Sequence, residues 1–285
     1  MAKMKRCLSL AVMLILGTSL CGRPAAAANF EKESQVTKTQ LTADLATVRQ
    51  GRILFSHMSV GADILAGIKQ LDAEIAGGGR LRPVSLQEAV ASEGPALIDV
   101  SGGRNGEPRT KIDFFATTIR GGARLKPNLA FMKFCYVDFN PRTDIDDLFG
   151  YYRNTLEGLK REHPEIRFAH VTVPLMEQPT GLKWRLYRLI GREVWEDAAN
   201  VKRAQFNQRL QESFGSDPVF DIARVEATTP DGRLTTFEQD GRSYLSLYPG
   251  YTEDGGHLNT AGQRAAGTAA IRFLAEGLKG RGTTR

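Results

Sequence analysis

The chain has 285 residues, enough for one large domain or two small ones. Its formal charge of +6 owes much to the first 28 residues, which hold Lys3, Lys5, Arg6 and Arg23 and no acid; without those four of the 38 bases, 34 face 32 acids. No dense basic stripe remains to argue for a nucleic-acid partner, and beyond Cys7 and Cys21 only Cys135 is left, so a packed core must hold the fold without an internal disulfide.

The basic start runs into an apolar stretch, Leu8 to Leu20, that is short for a bilayer span, and Pro24-Ala-Ala-Ala-Ala28 offers the small residues a signal peptidase needs. Residues 1–28 are therefore expected to be a secretory signal cut near Ala28. The product is expected to be exported, periplasmic or secreted, without stable membrane insertion. Bulky Leu20 before Cys21 argues against a lipid anchor there. Residues 29–49 form a polar lead-in with a helix around Thr39–Arg49, and one domain is expected over 50–280.

Within that domain Arg52–His57 is a short buried strand. Ala62–Ile75 carries Ile64, Leu65, Ile68, Leu71 and Ile75 at helical spacing, and Gly77-Gly78-Gly79 ends it. Leu81–Leu86 is expected as a second strand, residues 101–110 as a turn-rich loop and 111–120 as a helix. Leu129–Phe139 is the strongest strand pattern, with Cys135 read as a buried, inert thiol. Asp144–His163 is a helix closed by Pro164. Arg167–Val173 is a β run stopped by Pro174, and 175–196 is irregular with both tryptophans. Ala198–Phe214 is helical, Val219–Ile222 a short strand, and 226–250 a loose polar excursion without a long apolar lid. Thr260–Leu278 is the last helix, ended by Gly280. The alternation of strands and helices argues for an α/β fold with a parallel sheet covered on both faces. Such sheets bind ligands at the carboxyl ends of their strands.

The most informative stretch is Asp254-Gly-Gly-His257, immediately before the last helix. The spacing lets an acid and an imidazole converge from one loop, which is two-thirds of a nucleophile-activating triad. Ser59, at the end of the first strand pattern, is the candidate third member. The same residues also fit plain structural roles, an Asp-Gly turn and a helix N-cap. His57 is expected either to contact substrate or to support the Ser59 loop. His170 is expected in the core, and Asp138 either as an acceptor behind the site or in a plain structural hydrogen bond. Trp184 and Trp195 either stack on a sugar or pin their segment to the body. No spacing of His, Cys and acids suggests a metal, and no cofactor is expected.

In these residues the chain resembles the SGNH hydrolase superfamily, the GDSL esterases and lipases, over about residues 50–275. Ser59 stands where that family has its serine, though His57-Met58-Ser59 replaces the usual Gly-Asp-Ser, and Asp254-x-x-His257 matches the C-terminal pair. The resemblance implies a three-layer, flavodoxin-like sandwich and cleavage of an acyl ester through an acyl-enzyme, with a small acyl group on a glycan as the expected substrate. An O-acyltransferase and a non-catalytic glycan-binding module are the alternatives. For the oxyanion hole it implies the Ser59 N–H, a glycine N–H from the 102–106 loop (Gly106, or Gly103) and an asparagine side chain. The family's Gly-x-Asn-Asp is missing from the central strand, so either Asn140 or Asn105 takes that last role, or the hole has two donors.

Overall fold

A computed structural model describes residues 38–76, 81–122 and 124–279. The expected signal segment with Cys7, Cys21 and the Ala28 cleavage point, the Gly77-Gly78-Gly79 stop and the Gly280 stop lie outside those residues. The chain divides after Thr39, and the unit from Gln40 onward holds the sheets and the site.

At the centre is β1 (Arg52–Ser56), every residue of which is buried. It pairs in parallel with β3 (Ala96–Val100) on one side and β4 (Leu129–Met132) on the other. Outside these lie β2 (Pro83–Val84) and β5 (Arg167–Phe168), giving the order β2-β3-β1-β4-β5. Alternate side chains leave opposite faces of a strand, and the two cores follow. Ile53, Phe55 and Phe131 enter one core with Leu41, Leu45 and Val48 of α1 (38–48), Ile64 and Ile68 of α2 (Val60–Ala76), and Ile271 and Leu274 of α9 (Thr260–Lys279). Leu54, Ala130 and Met132 enter the other with Phe115 of α4 (Pro108–Gly121), Leu148 and Tyr152 of α5 (Ile145–Glu162), and Phe206 of α7 (Trp195–Phe214). Helix, sheet and helix make the three-layer α/β sandwich. The helix within the expected lead-in belongs to its core.

Several boundaries differ from expectation. The Leu81–Leu86 strand shrinks to Pro83–Val84 because Ser85 caps α3 (Leu86–Ala91): its side chain takes the Glu88 N–H and the Glu88 carboxylate takes the Ser85 N–H. β3 was not anticipated, since Asp99 interrupts its apolar run. The Leu129–Phe139 strand stops at Met132. Asp138 accepts the Cys135 N–H at 2.7 Å, and Tyr136–Asp138 curls into a 3-10 turn. The β run after Pro164 splits into β5 and β6 (His170–Val171), and β6 pairs in parallel with β7 (Val219–Phe220). The polar excursion holds α8 (Ile222–Ala227) at its start and then a hairpin, β8 (Thr236–Gln239) and β9 (Arg242–Leu245). Asp240-Gly241 turns it with both φ positive, at 52° and 72°. The segment 175–196 carries α6 (Leu182–Leu189), whose aliphatic side chains stay outside. No helix among the described residues is long and apolar enough to cross a membrane.

Candidate active site

Parallel strands end on one edge, and the site lies there, between the end of β1 and the loop before α9. After Ser56 the chain runs through His57 and Met58 to Ser59, directly before α2. Ser59 has φ of 55°, a left-handed conformation that is costly for a residue with a Cβ and is kept where the surroundings enforce it. It lies at the positive end of the α2 dipole, and no hydrogen bond among the described residues engages its N–H. Its hydroxyl does not cap the helix; Oγ lies 2.7 Å from His257 Nε2.

His257 comes from the loop before α9. Its Nδ1 lies 2.6 Å from Asp254 Oδ2, while Asp254 Oδ1 accepts the backbone N–H groups of Gly256 at 2.9 Å and His257 at 2.8 Å. The His257 ring, and after it these backbone donors, hold the Asp254 carboxyl far below the usual carboxylate range. Asp254 is therefore ionised and fixes the imidazole with Nδ1 as donor and Nε2 free to accept. The side chains of His257 and Asp254 are 48% and 56% exposed, so the site is open to solvent. A cavity of about 800 Å³ between β7, α8 and α9 has neither Ser59 nor His257 in its lining.

Two supports had no signal in the sequence. Asp63, in the first turn of α2, accepts the Leu258 N–H at 3.1 Å and the Gln263 amide at 3.2 Å, tying the serine's helix to the histidine's loop. Tyr136 sets its ring edge-on to His257 at 5.6 Å between centroids, with Oη 3.4 Å from Nδ1. Burial, then the Asp254 charge, pushes the Tyr136 phenol up, so it stays neutral. Arg203 of α7 holds this turn from beneath, donating to the carbonyls of Tyr136 and Phe139.

The other expected site residues are spread more widely. The Gly106 N–H is donated to Asp138 at 2.9 Å, so the preferred glycine donor is already engaged. Asn105 accepts from Lys111 Nζ at 2.9 Å, and Lys111 forms a buried ion pair with Asp138 at 2.6 Å. Asp138 is the hub of that cluster, joining the 102–107 loop to the Tyr136 turn. Asn140 is occupied in its own turn, where Oδ1 accepts the Arg142 N–H. Beyond β4, Cys135 is buried, with Sγ 3.6 Å from the Met58 carbonyl. His57 is buried and lies 2.9 Å from Asp99 Oδ1. His170 is in the core with Tyr152 Oη and Asp217 on its two ring nitrogens. Trp184 is half-buried on α6 with Tyr187 and Lys183 as its contacts, and Trp195 opens α7, 51% exposed. Neither tryptophan makes a ring contact with the Ser59–His257–Asp254 group.

No family model matches the chain, and no curated protein does. Among solved structures it is similar to the lipase/acylhydrolase from Enterococcus faecalis, at 16% identity over 79% of this chain and 94% of that one, with a TM-score of 0.44. It is similar to a carbohydrate esterase family 3 structure from Talaromyces cellulolyticus, at 14% identity over 81% and 98% of the chains and a TM-score of 0.43. A third likeness is to the lipopolysaccharide acetyltransferase periplasmic domain of Salmonella ser. Paratyphi A, at 13% identity, 91% and 97% coverage and a TM-score of 0.41.

Proposed function

We propose that this chain is an exported serine esterase of the SGNH hydrolase type that cleaves a small acyl group from a glycan. The observation that carries the reading is the unbroken line from Ser59 Oγ to His257 Nε2, 2.7 Å, and from His257 Nδ1 to Asp254 Oδ2, 2.6 Å. In this reading Ser59 Oγ attacks the ester carbonyl carbon while its proton passes to Nε2. The Ser59 N–H, unengaged at the start of α2, faces the developing oxyanion. Collapse breaks the ester C–O bond. The alcohol leaves with the proton from Nε2, and the acyl group stays on Oγ. Water, deprotonated by the same nitrogen, then releases the acid and restores Ser59.

The substrate class rests on exposure. A half-exposed histidine and acid suit a bulky alcohol lying across an open edge and a short acyl group, since a long chain needs an apolar trough to leave water. Openness also favours water over a sugar hydroxyl as the second acceptor, because transfer requires that water be kept out of the acyl-enzyme.

The test is hydrolysis of p-nitrophenyl acetate by the wild type and Ser59→Ala, with fluorophosphonate labelling of both. The wild type should turn over and take the label at Ser59; the variant should fall at least ~10³-fold and take none. Equal rates in the two proteins would remove Ser59 as the nucleophile.

A further inference from the structure

The helix α6 carries three leucines, a residue type that usually fills cores, yet none of its residues is buried. Leu182 is 84% exposed, Leu186 51%, Leu189 82% and the following Ile190 64%. Positions i, i+4, i+7 and i+8 fall on one helical face, so these four side chains make one continuous ridge. At 100° per residue, Lys183 lies along one flank of the ridge and Arg185 along the other. The opposite face is turned to the body. There Arg188 donates to Asp197 of α7 at 2.7 Å and to the Pro179 carbonyl at 3.0 Å, and Trp184 and Tyr187 are half-buried. The stretch 181–192 holds four bases, Lys183, Arg185, Arg188 and Arg192, and no acid.

We propose that α6 is a docking element for an anionic lipid surface. An aliphatic ridge with basic side chains on both flanks is the arrangement that lies in a bilayer interface, the ridge among acyl chains and the bases at the headgroups. Charge selects this occupant. A second copy of the chain meeting the ridge across a two-fold axis would bring Lys183 and Arg185 up to the same cations; an anionic headgroup layer neutralises them. The segment that leads into α6 is tied to the Asp254–His257 loop. Glu177, five residues before α6, donates its N–H to the Gly255 carbonyl at 2.8 Å, inside the Asp254–His257 loop.

The chain has two tryptophans, Trp184 in α6 and Trp195 at the start of α7, so intrinsic tryptophan emission reports on α6 and the segment after it. The full chain is titrated with phosphatidylcholine vesicles and with vesicles containing phosphatidylglycerol, following emission and co-sedimentation. The same is done for Leu182→Asp/Leu189→Asp and for Lys183→Glu/Arg185→Glu, so that any lipid affinity of residues 1–37 is common to all three proteins. Far-UV circular dichroism and Tm should be unchanged in both variants, since the replaced side chains are exposed. The wild-type emission should shift to the blue on phosphatidylglycerol vesicles, with partitioning that grows with their anionic fraction. The aspartate pair should lower partitioning about ten-fold or more, and the charge reversal should abolish the dependence on phosphatidylglycerol. Unchanged partitioning in both variants would overturn the proposal. So would an emission maximum indifferent to phosphatidylglycerol, or lipid-free self-association of the wild type that the aspartate pair abolishes.

Discussion

At Asp254 one side chain does two things that a neutral substitute separates. Its Oδ1 gathers the Gly256 and His257 N–H groups and so shapes the loop, while Oδ2 faces Nδ1 and so sets the histidine tautomer. Because its folded pKa is depressed, its bonds add stability above the unfolded carboxylate range and lose it as pH falls; with the side chain half-exposed, solvent screens that contribution. Asp254→Asn keeps an oxygen for the backbone donors but turns an NH2 towards the ring, which then favours the tautomer protonated at Nε2. The expected result is an unchanged Tm within a few degrees and a fall of about 10²-fold or more in kcat. His170→Asn should do the reverse. That ring stacks on Phe214 at 4.0 Å between centroids and satisfies Tyr152 and Asp217, and burial pushes its pKa down. Losing it leaves buried polar partners, at a cost of about 1–3 kcal/mol, with turnover per folded molecule intact. Thermal melts beside active-site-titrated kcat values separate the two, and equal catalytic losses at matched folded fraction would point to the wrong histidine.

Between elements, buried polar groups join apolar contact in fixing the ground under the site. Glu226 of α8 accepts the Leu175 N–H at 2.6 Å, and its other oxygen is buried with no hydrogen-bond partner among the described residues. Burial pushes its carboxyl up to about 8, against the pull of Leu175, Lys133 and Arg203. The sign follows: between about 4.5 and about 8 the folded state holds a proton that the unfolded state has released, so stability falls as pH rises through that window. Glu226→Gln removes the titration and keeps an oxygen for Leu175. Its Tm should gain on the wild type steadily from about pH 5 to about pH 8 and hold that lead above; parallel Tm curves across this range would refute the assignment. This is also where sequence reading reached its limit. The helices α2 and α9 were legible because each has an apolar face, and Asp254-x-x-His257 because its geometry is local. By contrast, the Gly106 N–H turns to Asp138, 32 residues on, and Asp63 turns to Leu258, 195 residues on; no spacing encodes such partners. α6 was missed for the opposite reason. Its apolar pattern is clear, but the rule that such a face seeks the core does not hold for a face that stays outside.

On the scale of the whole molecule, Ser59 and the Asp254–His257 pair come from opposite ends of the chain and meet where α2 and α9 cross backbone against backbone. Gly67 and Gly267 make that approach: a Cβ on Gly67 would stand 1.8 Å from the Gln263 carbonyl oxygen, and one on Gly267 would stand 2.5 Å from the Gly67 carbonyl carbon. Both obstacles are main chain, so a methyl group is accommodated only by moving one helix from the other. Ser59 lies at the head of α2 and His257 just ahead of α9, so that movement is spent directly on the 2.7 Å contact between them. The three-layer core around the crossing is extensive, and Gly67→Ala is expected to fold with a Tm lowered by several degrees. Catalysis should suffer more, because a misplacement of about 1 Å at reacting groups costs on the order of 10²-fold. The signature is a kcat reduced by roughly that factor with KM little changed, since the open edge that receives substrate is untouched. Gly150→Ala on α5, where a Cβ meets nothing within 4 Å, is the matched control and should leave both constants as they are. If Gly67→Ala retains the kcat of that control, the crossing does not set the Ser59–His257 distance.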